Sequence, residues 1–234
     1  MQHATSKRRW LTATLAAVAL LSVSAWANAT PMRYTAHLTS LNDSGVTGTA
    51  HLTLDMDLDT LTVDITATGL EPNQTHVQHI HGLSDGSGNP IDSTTPTLAQ
   101  DTNGDGLVEV TEGAATYGAI LVPLTPFSTA PSGTMNYSHT FDLTDSGIYF
   151  GGASEADLIP LYFREIVIHG LTTPIDISNG GLDGATFFAA GTYVPTLPVA
   201  SGIIAAPEPA ELGMMFGGLG LIFGLLWLRR RTDA

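Results

Sequence analysis

The chain has 234 residues, no cysteine, 43% hydrophobic residues and a formal net charge of −14 at pH 7, so disulfides and thiolate chemistry are excluded. Nineteen of its twenty-two acidic residues, but only Arg33 and Arg164 of its eight lysines and arginines, lie between Thr30 and Ala206, which gives that segment −17. Such a charge repels nucleic acid and anionic lipid and attracts cations.

Lys7, Arg8 and Arg9 precede an apolar run from Leu11 to Val23 that closes on Ala27-Asn28-Ala29. Basic start, apolar middle and small-x-small end make residues 1–29 a secretory signal peptide, with Thr30 as the mature start. Residues 30–204 are then the length of one domain.

Period-two alternation predicts strands over Met32–Ser40, Thr47–Asp57, Leu61–Ala67, Met135–Leu143 and Leu161–His169. Ala50, Leu52, Leu54 and Met56 form one apolar face, and Met135, Tyr137, His139 and Phe141 another, which places His139 in the core. Turns at Asn42-Asp43-Ser44-Gly45, Asp85-Gly86, Asn179-Gly180-Gly181 and Asp183-Gly184 punctuate the runs, and no long helical period appears. The expected fold is all-β, an antiparallel Greek-key β-sandwich or barrel.

His76, His79 and His81 fall within six residues and are followed by Gly82. On an extended strand His79 and His81 project to one face, where two imidazoles can converge on a transition metal, copper or zinc. His76 has the opposite parity and reaches that ion only where the strand bends. His169, again followed by a glycine, supplies a third candidate ligand. His37 and His51 lie on polar strand faces.

Tyr34-Thr35-Ala36-His37-Leu38, Gly48-Thr49-Ala50-His51-Leu52-Thr53-Leu54 and His79-Ile80-His81-Gly82 resemble the chordin-type CHRD domain, with its alternating-histidine segment after two or three strands. More loosely, His169-Gly170 and Val199-Ala200-Ser201-Gly202-Ile203-Ile204 resemble the later strands of copper/zinc superoxide dismutase, which implies a Greek-key barrel more than the activity. The departures from that family are the missing cysteine, with Ser201 at its expected place, and the lack of a histidine cluster after His81.

Asp101-Thr102-Asn103-Gly104-Asp105-Gly106-Leu107-Val108-Glu109-Val110-Thr111-Glu112 matches the twelve-residue calcium loop. Asp101, Asn103, Asp105, the Leu107 carbonyl, Glu109 and Glu112 would supply oxygen to calcium, with Gly106 permitting the sharp turn. No helical pattern precedes Asp101, so this is a calcium-type loop inserted in a β protein. A lone extracellular loop of this kind binds at roughly 10⁻⁴–10⁻³ M.

Pro207-Glu208-Pro209, the uncharged run 212–228 and Arg229, Arg230 and Arg231 complete the chain. The run is long enough to span a bilayer as a hydrophobic helix with its arginines on the cytoplasmic side. On spacing alone it is either a single-pass anchor or a processed signal. The three parts in this order resemble the PEP-CTERM sorting signal, placed here at residues 205–234. That resemblance implies cleavage by an exosortase, a Gram-negative cell surface or matrix, and exopolysaccharide as a partner. The expectation is an exported, surface-associated metal-binding protein of structural or biofilm type. The second reading is an extracellular metalloenzyme with redox, dismutase-like activity, which would need an open coordination position and a base such as Glu165.

Overall fold

The computed structural model describes residues 30–178, 180–182 and 184–206. The signal peptide, Pro207-Glu208-Pro209, the apolar run with its arginines, and the turn residues Asn179 and Asp183 lie outside the described residues.

Eleven strands follow in chain order: β1 (Met32–Ser40), β2 (Thr47–Asp55), β3 (Thr60–Thr68), β4 (Thr75–His76), β5 (Gln78–Ser84), β6 (Pro90–Ile91), β7 (Ala119–Pro123), β8 (Ser128–Thr129), β9 (Thr134–Asp142), β10 (Arg164–Thr172) and β11 (Tyr193–Ala205). A helix, α1 (Val110–Tyr117), lies between β6 and β7, and a single turn, α2 (Glu155–Leu158), precedes β10. The main sheet is antiparallel in the order β6-β5-β10-β11-β1-β2-β3-β9, with β7 also paired to β5. The meander β1-β2-β3 has the last strand returned beside its first, a Greek-key connection, and the sheet curls into a half-barrel. Leu52 and Ile65 from one side meet Ile80 and Ile166 from the other in one core. β11 is central, pairing Thr35 with Ala205 on one side and Glu165 with Ile203 on the other.

Alternation along β1, β2 and β3 places Ala36, Leu38, Leu52, Leu54, Val63 and Ile65 inside, as their spacing requires. The β1–β2 turn runs through Asn42 and Asp43, whose φ values of 53° and 51° suit the short polar side chains there. Three expectations are corrected. Met56 is 41% exposed, because the Asp55 carboxylate accepts the amides of Asp57 and Leu58 at 3.0 and 3.1 Å and ends β2 in a turn. His139 is exposed on the edge strand β9, its ring edge-on to Phe141 at 4.6 Å, rather than buried in the core. Leu161–Phe163 is a 3-10 turn, and the strand begins only at Arg164.

Arg164 is itself buried, its guanidinium donating to the carbonyls of Leu158 and Leu83 at 3.1 and 3.0 Å. Arg33 is therefore the one exposed lysine or arginine among the described residues, and although Glu109, Glu112 and Glu165 are buried as well, acids dominate the outer surface. No helix among the described residues is long and apolar enough to cross a membrane.

Candidate metal centre

Ile80, Ile166 and Ile168 point into the barrel core, so the alternate residues of β5 and β10 face the other way. The ladder sets His79 opposite Val167 and His81 opposite Glu165. Register shifts interrupt it at Ile80/His81 between β5 and β7, and on both sides of His169 between β10 and β11. Bulges of this kind re-aim side chains. Here they accompany the meeting of His79, His81 and His169, which offer one ligand atom each within 4.8 Å of one another. Ring centroids are 5.5 Å apart for His79 and His81, 5.1 Å for His79 and His169, and 5.8 Å for His81 and His169.

The second nitrogen of two rings fixes which lone pair is offered. His81 Nδ1 lies 3.0 Å from the Gly118 carbonyl and His169 Nδ1 lies 2.7 Å from the Thr196 carbonyl. A carbonyl accepts only, so both Nδ1 atoms carry the proton and both Nε2 atoms are left as acceptors. Those Nε2 atoms, together with His79 Nδ1, are buried with no hydrogen-bond partner. An unpartnered buried imidazole nitrogen is costly on its own, and three facing one point need a shared partner that can accept three lone pairs. A metal ion with nitrogen bonds of about 2.0–2.1 Å does so after a modest contraction of the cluster.

Electrostatics keep the rings neutral. Burial, then the neighbouring His169 and His81, lowers His79 to about 2. Burial and His169 lower His81 to about 3, and burial lowers His169 to about 4. Neutral imidazole is the form that ligates metal.

His76 stands apart. It is buried, with Nδ1 3.1 Å from the His169 carbonyl and Nε2 3.1 Å from the Glu71 carbonyl, so both ring nitrogens are engaged away from the triad. Its neighbour Gly170 has φ +117°, and a β-carbon there would lie 2.0 Å from the Tyr193 hydroxyl and 2.8 Å from His76 Nδ1. The glycine after His169 is thus a packing requirement.

Four contributors carried no sequence signal of their own. Tyr117 packs edge-on to His81 at 4.6 Å, Gly118 and Thr196 supply the orienting carbonyls, and Phe127 flanks His79 at 5.8 Å. Gly118, φ +86°, is a glycine because a β-carbon would fall 2.0 Å from the Gly82 carbonyl. Glu165, opposite His81, is fully buried, its pKa raised by burial although Ser201 and Thr95 both donate to its Oε1. Its Oε2 has no partner. A cavity of about 510 Å³ between β5, α1 and the chain around Phe150 is lined by His81, Tyr117 and Arg164.

The carboxylate loop is closed by hydrogen bonds from its own amides. Asp101 Oδ1 accepts the Gly104 amide at 2.7 Å, Asp101 Oδ2 the Gly106 amide at 2.8 Å, and Asp105 Oδ1 the Leu107 amide at 2.9 Å. Glu112 takes the Thr102 and Glu109 amides at 2.8 and 3.1 Å, which starts α1 directly on the loop. Only a three-residue 3-10 turn, Leu98–Gln100, precedes the loop. Glu109 is fully buried with an unpartnered Oε2, and burial plus Glu112 and Asp105 beside it raises its pKa. Burial opposes ionisation of Glu112 as well, yet hydrogen bonds from Glu109 and Thr102 prevail and lower it.

No protein-family model and no curated protein matches this chain. Among solved structures it is similar to the copper(II) form of superoxide dismutase 5 of Candida albicans, at 14% identity and a TM-score of 0.33, over 76% of this chain and 94% of that one. It is likewise similar to a double mutant of a superoxide dismutase-like protein from Bacillus subtilis, at 14% identity and a TM-score of 0.34, over 74% and 97%.

Proposed function

We propose that this is an exported, surface-associated protein of structural or matrix type that holds copper or zinc at His79, His81 and His169. One observation carries the metal reading: three buried imidazole nitrogens without partners face one another, two of them fixed as acceptors by backbone carbonyls. Calcium in the 101–112 loop belongs to the same reading, supported by the loop's residue pattern and by the unpartnered oxygen of Glu109. Export rests on the signal peptide, and retention by an exosortase-type enzyme on the Pro207-Glu208-Pro209 segment. Before cleavage the C-terminal helix would sit in the membrane, and exopolysaccharide is the partner that the sorting resemblance implies. The chordin-type likeness of residues 33–83 fits a module that acts by being placed rather than by turnover.

Metal analysis of the purified protein tests this. Transition metal at about one per chain is expected, lost in His79→Ala/His81→Ala, and calcium is expected to be lost in Asp101→Ala/Glu112→Ala. Protein that takes up neither metal overturns the proposal.

A metalloenzyme is the second reading, favoured by one feature. Three histidines leave a coordination position open, as catalytic sites do, and the cavity beside His81 gives approach to this region. The strongly acidic surface disfavours an anionic substrate. Redox cycling of bound copper with superoxide or peroxide would decide for this reading.

A further inference from the structure

We infer that the cation of the 101–112 loop organises the histidine centre through α1, so that the two sites bind their ions cooperatively. The inference rests on the metal sites proposed above and adds a physical connection between them.

The loop alone would be an acidic cluster. Its distinguishing feature is Glu109, which is completely buried and has an oxygen without a partner among Asn103, Asp105 and Glu112. Asn103 Nδ2 lies 3.5 Å from Glu109 Oε1 and 3.0 Å from Asp105 Oδ2, so these side chains converge. Buried carboxylates facing one another favour a divalent cation, and without one the loop is driven to open.

Opening cannot stay local. Val110, next to Glu109, begins α1, and its carbonyl accepts the hydroxyl of Tyr117 from the far end of the same helix at 2.8 Å. The Tyr117 ring packs against His81, and the next residue, Gly118, provides the carbonyl that holds His81 Nδ1. A second path runs from the same helix. Thr116 accepts the Thr94 amide at 3.0 Å, and Thr95 donates to Glu165, which sits opposite His81. The other side of the loop is clamped to the barrel. Asn42 donates to the carbonyls of Val108 and Pro198 at 3.0 and 2.9 Å and accepts the Val108 amide at 2.7 Å, so displacement of Glu109 is passed to α1 rather than dissipated at Val108. An eight-residue helix has little stability of its own and follows its attachments.

Linkage requires the effect to be reciprocal, and coupling of this type is typically about 5–150-fold. The test measures zinc affinity of the full chain by competition with a chromogenic chelator, in calcium-free buffer and in saturating calcium, and then calcium affinity with and without zinc. The expected result is tighter zinc binding in calcium, by roughly tenfold, and the same factor for calcium in zinc. Tyr117→Phe keeps the ring against His81 but cuts the bond to Val110, and should keep both sites while reducing the factor. Zinc and calcium that bind independently in the wild-type chain overturn the coupling and leave the metal sites standing. Failure to bind one of the ions at all overturns the coupling together with that part of the proposed function.

Discussion

Acid should destabilise the metal-free protein, more steeply below about pH 4.5 than above it. His79, His81 and His169 are held neutral down to about 2, 3 and 4 by burial, whereas an imidazole in the unfolded chain takes its proton near about 6.5. Between these limits the unfolded state binds more protons, so the histidines' contribution is complete above about pH 6.5 and is lost as pH falls. Three groups would give a slope of roughly 4 kcal/mol per pH unit, at about 1.4 kcal/mol for each. Glu165 and Glu109 act in the opposite sense. Burial raises both, so they favour the folded state below the ordinary glutamate pKa and cost stability as pH rises through their folded values. From about pH 6.5 to 4.5 the two carboxyls can offset at most two of the three histidines, so a net loss of at least roughly 1.4 kcal/mol per unit remains as pH falls. Below about 4.5 both of these glutamates are protonated in either state, and the lowered carboxylate of Glu112 adds its own loss to that of the histidines, so the slope steepens until His169 also takes its proton. Urea denaturation in the presence of a chelator, from pH 7 to 4, measures this. All three tryptophans, Trp10, Trp26 and Trp227, lie outside residues 30–206, so far-UV circular dichroism is the suitable signal. A midpoint that is level or rising as pH drops from 6.5 to 4 would falsify the claim that the triad is buried and neutral.

Other outcomes follow from single positions. Gly170→Ala sets a β-carbon 2.0 Å from the Tyr193 hydroxyl at φ +117° and is expected to cost at least about 2 kcal/mol, lowering Tm by roughly 4–8 °C in a thermal melt. Asn42→Ala removes three hydrogen bonds and frees the loop from β11, at a cost of about 2–4 kcal/mol, with weaker calcium binding by titration calorimetry. His169→Ala should keep the circular dichroism spectrum but lower zinc affinity by at least roughly 100-fold, since a lost ligand exceeds the loss of an orienting partner. Mass spectrometry of the surface protein should find a chain ending near Pro207-Glu208-Pro209, and a mature protein that retains Leu212 to Arg231 rules processing out.

Much of the barrel was legible because half-buried strands write their period into the sequence. β1 has the predicted bounds, and β2, β3 and β9 differ from prediction by two residues or fewer at each end. Errors arose where a local side chain or the sheet edge overrode the period, as at Asp55 before Met56 and at His139 on β9. The helix α1 left no signal, since Thr111, Gly113 and Thr116 are poor helix formers and its stability comes from the buried Tyr117 and the Glu112 carboxylate. Strand parity paired His79 with His81, but no local rule placed His169 beside them. That meeting depends on the β5–β10 register and the bulges around His169, both set by the whole sheet. Glu165 faces His81 through the same register.

The central position of β11 has a mechanical consequence. The chain leaves the barrel at Ala205, beside Thr35, while β10 and β1 grip β11 along both edges. A tether beyond that point loads β11 lengthwise, in shear across two ladders at once, instead of peeling one hydrogen bond at a time. Back along the same strand, roughly 23 Å away at about 3.3 Å per residue, Pro198 receives Asn42 and with it the 101–112 loop. A protein held this way would resist traction where it is fastened, with His169, paired to Pro198, set back from the attachment along the same strand.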